Sequence, residues 1–266
     1  MLPMADQGLP ASPFAALGEW QGEVRVRAIS TADFDRILEG HRLYLATERK
    51  QGARAKLSAI DLSGRSFAGL NLRRARLDHA RARGVDFTGA NLQRANLIGA
   101  DLEGACLRDA DLTGARLNGI KLTSADLSGA VLTGADIEFG ILAGAVLLRA
   151  ILRDADLSGV GLENADLRNA DLRATNLRGA DFRNARLDGA RLGGSRLGDA
   201  SFQGATLRGA DLRDAYVRRA RFDGADLSGA DLRRTRGLTE GQIVAAVCDA
   251  DTRLPDTVHR GTPHGE

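Results

Sequence analysis

An apolar residue recurs at every fifth position from Leu57 to Leu232 without insertion or deletion, so 36 consecutive pentapeptides share one register. Leu fills the central position in 28 of them; the other eight are Phe67, Ala82, Phe87, Ile137, Phe182, Phe202, Val217 and Phe222. Two residues earlier stands a small residue, Ala in 27 of the 36 units. A period of five fits neither an α-helix nor a plain strand, and repetition at a short fixed period marks a stacked solenoid. Residues two apart on an extended segment face the same side, so the small residue and the Leu point inward and their neighbours point out. The residue two past the centre is Gly in 19 units and Asn or Asp in seven more, the types that accept positive φ at a tight turn. Each pentapeptide therefore reads as one short side and one corner.

The bulky residues indicate how many sides close a coil. Phe182, Phe202 and Phe222 are 20 residues apart, as are Phe67 and Phe87. Four sides per coil would stack these rings on one another, matching bulk to bulk. The same stride places Gly140 between the enlarged inward residues Ile120 and Val160. Four sides divide the 36 units into nine coils. At a strand spacing of roughly 4.8 Å the rod is about 43 Å long, filled by columns of Leu, Phe and Ala with no room for a cavity.

Stretches such as Ala100-Asp101-Leu102-Glu103-Gly104 and Ala225-Asp226-Leu227-Ser228-Gly229 resemble the pentapeptide repeat family, with its consensus A(D/N)LXX, over residues 55–235. The resemblance implies an all-β solenoid, a right-handed quadrilateral β-helix; the handedness comes from the resemblance and not from the spacing. Arg65, Leu70, Thr175 and Ser195 depart from the small-residue rule; the first two lie in the first coil, where a cap can cover an irregular interior.

Solenoid ends expose apolar columns and unpaired backbone, so caps are expected at both. Residues 30–52 read as an N-terminal cap helix, with Thr31 as N-cap and Phe34, Ile37, Leu38, His41 and Leu45 on one face. Residues 236–258 read as a C-terminal cap helix, with a Thr239/Gln242 capping box, Ile243, Val244 and Val247 on its apolar face and Pro255 as its stop. Residues 1–29 read as a partly flexible tail, although Phe14, Leu17 and Trp20 are heavy for disorder. Residues 259–266 read as a flexible tail.

Composition narrows the function. Net charge is +2, and residues 153–234 hold 15 Arg against 13 acidic residues, not the basic excess of a general nucleic-acid binder. No signal-peptide pattern opens the chain and no apolar run nears the roughly 18 residues of a membrane span. Cys106 and Cys248 read as two free thiols in a reducing cytoplasm. The four histidines show no metal-ligand spacing and there is no Cys cluster. Outward carboxylates such as Asp101, Asp111, Asp126 and Asp136 sit on a convex face with no pocket to shift their pKa. An enzyme, a cofactor and a bound metal are not expected.

Two sets of outward residues break the polar pattern. Val131, Phe139, Ile141, Val146, Leu148 and Ile151 form an apolar belt near mid-rod, expected to be covered by a protein partner, a second copy or the N-terminal tail. Arg168, Arg173, Arg178 and Arg183 take the same outward place on four successive sides, a weaker candidate because Asp neighbours can neutralise them. The leading expectation is a non-enzymatic bacterial scaffold that binds a protein through its lateral faces. The alternative implied by the resemblance is a DNA-mimicking modulator of DNA gyrase that gives quinolone or toxin resistance; the length suits about 12 base-pair steps, but no outward column is uniformly acidic. A third class, anion or nucleic-acid binding through the arginines, ranks below both.

Overall fold

The computed structural model describes residues 25–258; the apolar residues Phe14, Leu17 and Trp20 and the tail from residue 259 lie outside them. The rod is built from parallel backbone bridges at a constant stride of 20, from Lys56↔Arg76 and Asp61↔Arg81 to Tyr216↔Arg236. One coil is therefore four pentapeptides, and the cross-section is a quadrilateral. In chain order, wall one is centred on Leu57, Leu77 and Leu97, wall two on Leu62, Leu102 and Phe182, wall three on Phe67 and Leu107, and wall four on Leu72 and Leu112.

The bonding explains why the unit has five residues. On each side the central residue donates up the rod and the residue before it donates down, as in Leu97 N to Arg116 O at 2.8 Å and Asn96 N to Ala75 O at 2.9 Å. The chain then turns through a hydrogen bond from the next small residue back to the centre, as in Ala100 N to Leu97 O at 3.0 Å. That β-turn carries a positive φ at its third residue. All 36 corners do so, whether filled by Gly or by Asp109, His79, Arg94 or Phe139.

The interior is continuous. The Phe182 and Phe202 rings stack at 4.8 Å between centroids and Phe202 and Phe222 at 5.2 Å, all on wall two; Phe67 and Phe87 stack at 4.8 Å on wall three. Thr175 and Ser195 sit where Ala is usual because each returns its hydroxyl to its own turn, donating to Leu172 O at 2.6 Å and Leu192 O at 2.7 Å. At Gly140 a Cβ would lie 3.0 Å from Ile137 Cγ2 and 3.1 Å from Leu142 Cδ1, so Gly makes room for its bulkier neighbours.

At the N-terminal end, helix α1 (Thr31–Ala46) closes the first coil. Its N-cap is Ser30, not Thr31: the Ser30 hydroxyl accepts from Asp33 N at 3.1 Å. Phe34 meets Phe67 edge-to-face at 5.5 Å, and the Arg65 guanidinium stands 4.2 Å above the Phe34 ring while donating to Ile29 O at 2.9 Å. Arg65 thus fits because the helix supplies an aromatic face and a carbonyl.

The C-terminal end departs from the expected helix over 236–258. Helix α2 is only Glu240–Val244, with its Thr239/Gln242 capping box in place. Beyond it the chain returns to ladder pairing, Val247 with Asp226 and Arg253 with Asp231. The last coil has unpaired backbone groups, and a long helix, whose backbone bonds are internal, could not satisfy them. Of the predicted apolar face only Ile243 is buried; Val244 and Val247 are exposed. Pro255 lies in a later turn, its carbonyl accepting from Val258 N at 3.0 Å.

Two measurements test this packing. Phe202→Ala should lower stability by about 3–5 kcal/mol in urea unfolding, because a stacked, buried ring leaves a cavity; a loss below about 1 kcal/mol would contradict the packed column. His41 is buried in α1, and its Nδ1 accepts from Ala55 N at 3.1 Å. Burial, then the charge of Arg54, hold its pKa below the ordinary value. The folded state thus prefers neutral His41: docking of α1 is at full strength above about pH 6.5 and weakens as pH falls below it, where the unfolded chain takes the proton more readily. Amide protection factors in α1 should drop between pH 7.5 and 5.5, and His41→Asn, which keeps an acceptor for Ala55, should remove the dependence; equal protection at both pH values in the unaltered protein would refute it.

Candidate functional site

The side-chain columns fill the interior of the described coils, so a site lies on the outer walls or at the capped ends. Among the described residues no group of three or more His, Cys, Asp or Glu side chains could hold a metal ion. Asp226 has its pKa lowered by the Ser228 side chain and backbone and by Arg208, and Asp231 by Arg233, each partly opposed by burial. A general acid needs the opposite shift.

The six belt residues do not share a wall. Val131 and Ile151 pair across adjacent coils on wall four, and Val146 and Leu148 stand half-buried on wall three. Phe139 takes the corner between walls one and two, and Ile141 opens wall two; their exposures are 50% and 44%. The belt encircles the rod, and one flat partner can reach only part of it. Phe139 has φ 56, in the left-handed region. Its ring runs along the rod onto the corner of the next coil, where a Cβ on Gly159 would lie 2.7 Å from Cδ1.

The four arginines of the predicted ring also separate. Arg168, Arg173 and Arg183 each fold back on the aspartate two residues earlier, Asp166, Asp171 and Asp181, at 2.7, 2.6 and 2.7 Å. Arg178 has Asn176 in that place, and the Asn176 amide is turned to Asp156 at 3.0 Å. Arg178 instead faces an open cleft on wall one, lined also by Arg196, Gly198, Tyr216, Arg218 and Arg236. This cleft was not found from the sequence, although a stride of 20 displays it as two adjacent columns, Arg196-Tyr216-Arg236 and Arg178-Gly198-Arg218.

The profile described as "Pentapeptide repeats" matches in eight copies between residues 55 and 236. Among solved structures, QnrB1, described as a plasmid-mediated fluoroquinolone resistance protein, aligns with TM-score 0.55 at 20% identity, over 66% of this chain and 87% of its own. HetL from the cyanobacterium Nostoc sp. strain PCC 7120, described as involved in heterocyst differentiation regulation, is 32% identical over 77% of this chain and 92% of its own, with TM-score 0.34. A pentapeptide repeat protein of the Arabidopsis thaliana thylakoid lumen is 34% identical over 40% of this chain and 66% of its own, with TM-score 0.27. No curated protein matches. The fold that the family match and the QnrB1 alignment give is a right-handed quadrilateral β-helix. No described helix is long and apolar enough to cross a membrane.

Proposed function

The chain belongs to the pentapeptide repeat family, and from that premise we propose that it is a non-enzymatic scaffold that binds a protein partner through the lateral edge where walls one and two meet. Phe139 carries this reading. A left-handed backbone costs an L-residue roughly 1–2 kcal/mol, and 19 of the 36 corners avoid that cost with Gly. The Phe139 ring is half exposed, so burial within the chain does not fully offset the strain. Exposed Ile141 stands next to it, while Ile137 and Leu142 stay wholly buried beneath. The fold does not need an aromatic or an aliphatic side chain here. A strained, exposed aromatic beside an aliphatic residue is the chemistry of an interface anchor.

The test separates stability from contact. Phe139→Gly restores the common corner residue and should leave stability unchanged or raise it by up to about 1 kcal/mol. Combined with Ile141→Asp it should abolish retention of a bound protein in quantitative affinity capture, or self-association in sedimentation if the partner is a second copy. Capture and self-association identical to those of the unaltered chain would reject the reading.

Modulation of DNA gyrase by DNA mimicry is a second reading, supported by the rod's dimensions: nine coils at roughly 4.8 Å match a short duplex in length. Charge opposes it, since the outward column from Asp61 to Arg221 also contains Arg81 and Lys121, and wall one ends in the arginine cleft. A supercoiling assay with purified gyrase, with and without a quinolone, should show no effect of this protein on scaffold grounds; inhibition or drug protection at stoichiometric concentration would favour the second reading.

A further inference from the structure

The arginines of the C-terminal half are almost all neutralised in place. Of the seventeen from Arg153 to Arg253, thirteen lie within 4.0 Å of an Asp or Glu oxygen. The four without a carboxylate partner among the described residues are Arg178, Arg196, Arg218 and Arg236, and all four line the wall-one cleft, which encloses about 530 Å³. Within the C-terminal half, this wall therefore gathers the arginines that no carboxylate neutralises.

Register fixes their arrangement. Arg196, Tyr216 and Arg236 are bridged in sequence across three coils, which sets the two arginines roughly 10 Å apart with the tyrosine between them. Two residues along the wall, a separation of roughly 6.6 Å, Arg178 and Arg218 flank Gly198 in the same way. The guanidinium groups therefore spring from the corners of a parallelogram, one column shifted by one coil against the other, whose centre lies between Tyr216 and Gly198. The glycine is not imposed by the backbone. Its φ is not in the left-handed region, and a Cβ there would make ordinary contact, 3.5 Å from Tyr216 Cε1. Other coils place Arg178, Ser158 and Asn118 in this column. Gly198 leaves the floor open.

The two carboxylates at the rim are already engaged, Asp199 by Arg219 at 2.6 Å and Asp214 by Arg234 at 2.8 Å. The pKa of Asp199 is lowered first by its hydrogen bond from Arg219, with the charges of Arg178 and Arg218 adding to it. The basic area is also bounded. Down the wall come Asn176, Ser158 and Asp156, and up the wall the chain leaves through Gly237 and Leu238 into α2. A long polyanion would meet Asp156, Asp136 and Glu138 on this wall before the next arginine, Arg116, and a single carboxylate would offset only one of the four charges.

We propose that this cleft binds a compact phosphate ligand that carries a planar ring, with a nucleoside diphosphate as the representative chemistry. The diphosphate oxygens take the guanidinium forks, which match phosphate geometry bidentately. The ring lies against Tyr216, 39% exposed between the two columns. The inference stands apart from the partner-binding edge, because it uses neither Phe139 nor Ile141.

The experiment is calorimetric titration of the full chain with ADP, with inorganic pyrophosphate and with a short single-stranded oligonucleotide, at low and at physiological salt. ADP should bind saturably at one site per chain. Gly198→Glu, which sets a carboxylate among the four arginines, and the double change Arg196→Gln with Arg218→Gln should each weaken ADP by at least about tenfold. Arg213→Gln, in a paired position on wall four, should leave affinity unchanged, with circular dichroism verifying that every variant is folded. Tyr216→Ala should weaken ADP and spare pyrophosphate. Four results would overturn the proposal: no saturable binding of ADP, an equal loss in Arg213→Gln, an oligonucleotide that binds while ADP does not, or Tyr216→Ala without effect on ADP, which would reduce the ligand to bare phosphate.

Discussion

The corner with positive φ is the constraint on which the rest of this molecule depends. It recurs every fifth residue for 36 units, and each time it turns the chain by about a quarter of a circle onto the next wall. Because four corners consume 20 residues without exception, the amides of the central residue and of the one before it meet carbonyls of the neighbouring coils all along a wall. Insertion of one residue would move every later side chain out of its column and turn apolar residues outward. The Leu and Phe columns are thus the result of the corner geometry as much as the driving force for it: burial stabilises the rod, but the turn decides which residues are buried.

A solenoid filled in this way has no interior to use, and what it can do is written on its walls. There the local rule is neutralisation. Arg108 reaches Asp126, Arg153 and Arg173 share Asp171, and Arg208 reaches Asp226. Exposed pairs of this kind contribute at most about 1 kcal/mol each, and where they form the surface is locally neutral. Departures stand out against it. One is apolar, at Phe139 and Ile141, and keeps a strained corner. The other is cationic, at the end of wall one, and keeps four like charges together. Neither stabilises the rod, and both are at positions where the repeat tolerates a simpler residue.

The core was legible from the sequence because inward positions obey one rule, and the stride of Phe182, Phe202 and Phe222 disclosed the number of walls. The ends were less so. Periodicity over residues 30–52 resembled a helix, and residues 31–46 form one, but the N-cap moved to Ser30 because its hydroxyl, and not that of Thr31, reaches Asp33 N. After Val244 the apolar spacing still fitted a helix, while the open edge of the last coil drew Val247 and Arg253 into pairing, a demand that no local pattern displays. On the walls, reading residues in chain order joined Val131, Phe139, Val146 and Ile151 into one belt, although successive pentapeptides face different directions. Reading by twenties leaves Val131 with Ile151 on wall four, puts Phe139 and Val146 elsewhere, and brings Arg178, Arg196, Arg218 and Arg236 together. For Arg178 and Arg218 the lack of a partner was visible too, in Asn176 and Tyr216 standing two residues earlier, where Arg168, Arg173 and Arg183 have Asp.

All of this rests on the 20-residue coil, and a single distance tests it. Spin labels on cysteines introduced at Ser66 and Arg186, with Cys106 and Cys248 replaced by Ser, sit in one outward column of wall three. Six coil steps of roughly 4.8 Å place the backbones about 29 Å apart. Pulsed electron–electron resonance should give a single narrow distribution near that value after allowance for the label linkers. A distribution centred near 38 Å, the value of about eight steps for a coil of three pentapeptides, would contradict the four-walled rod and with it every column from which the two surface features were read.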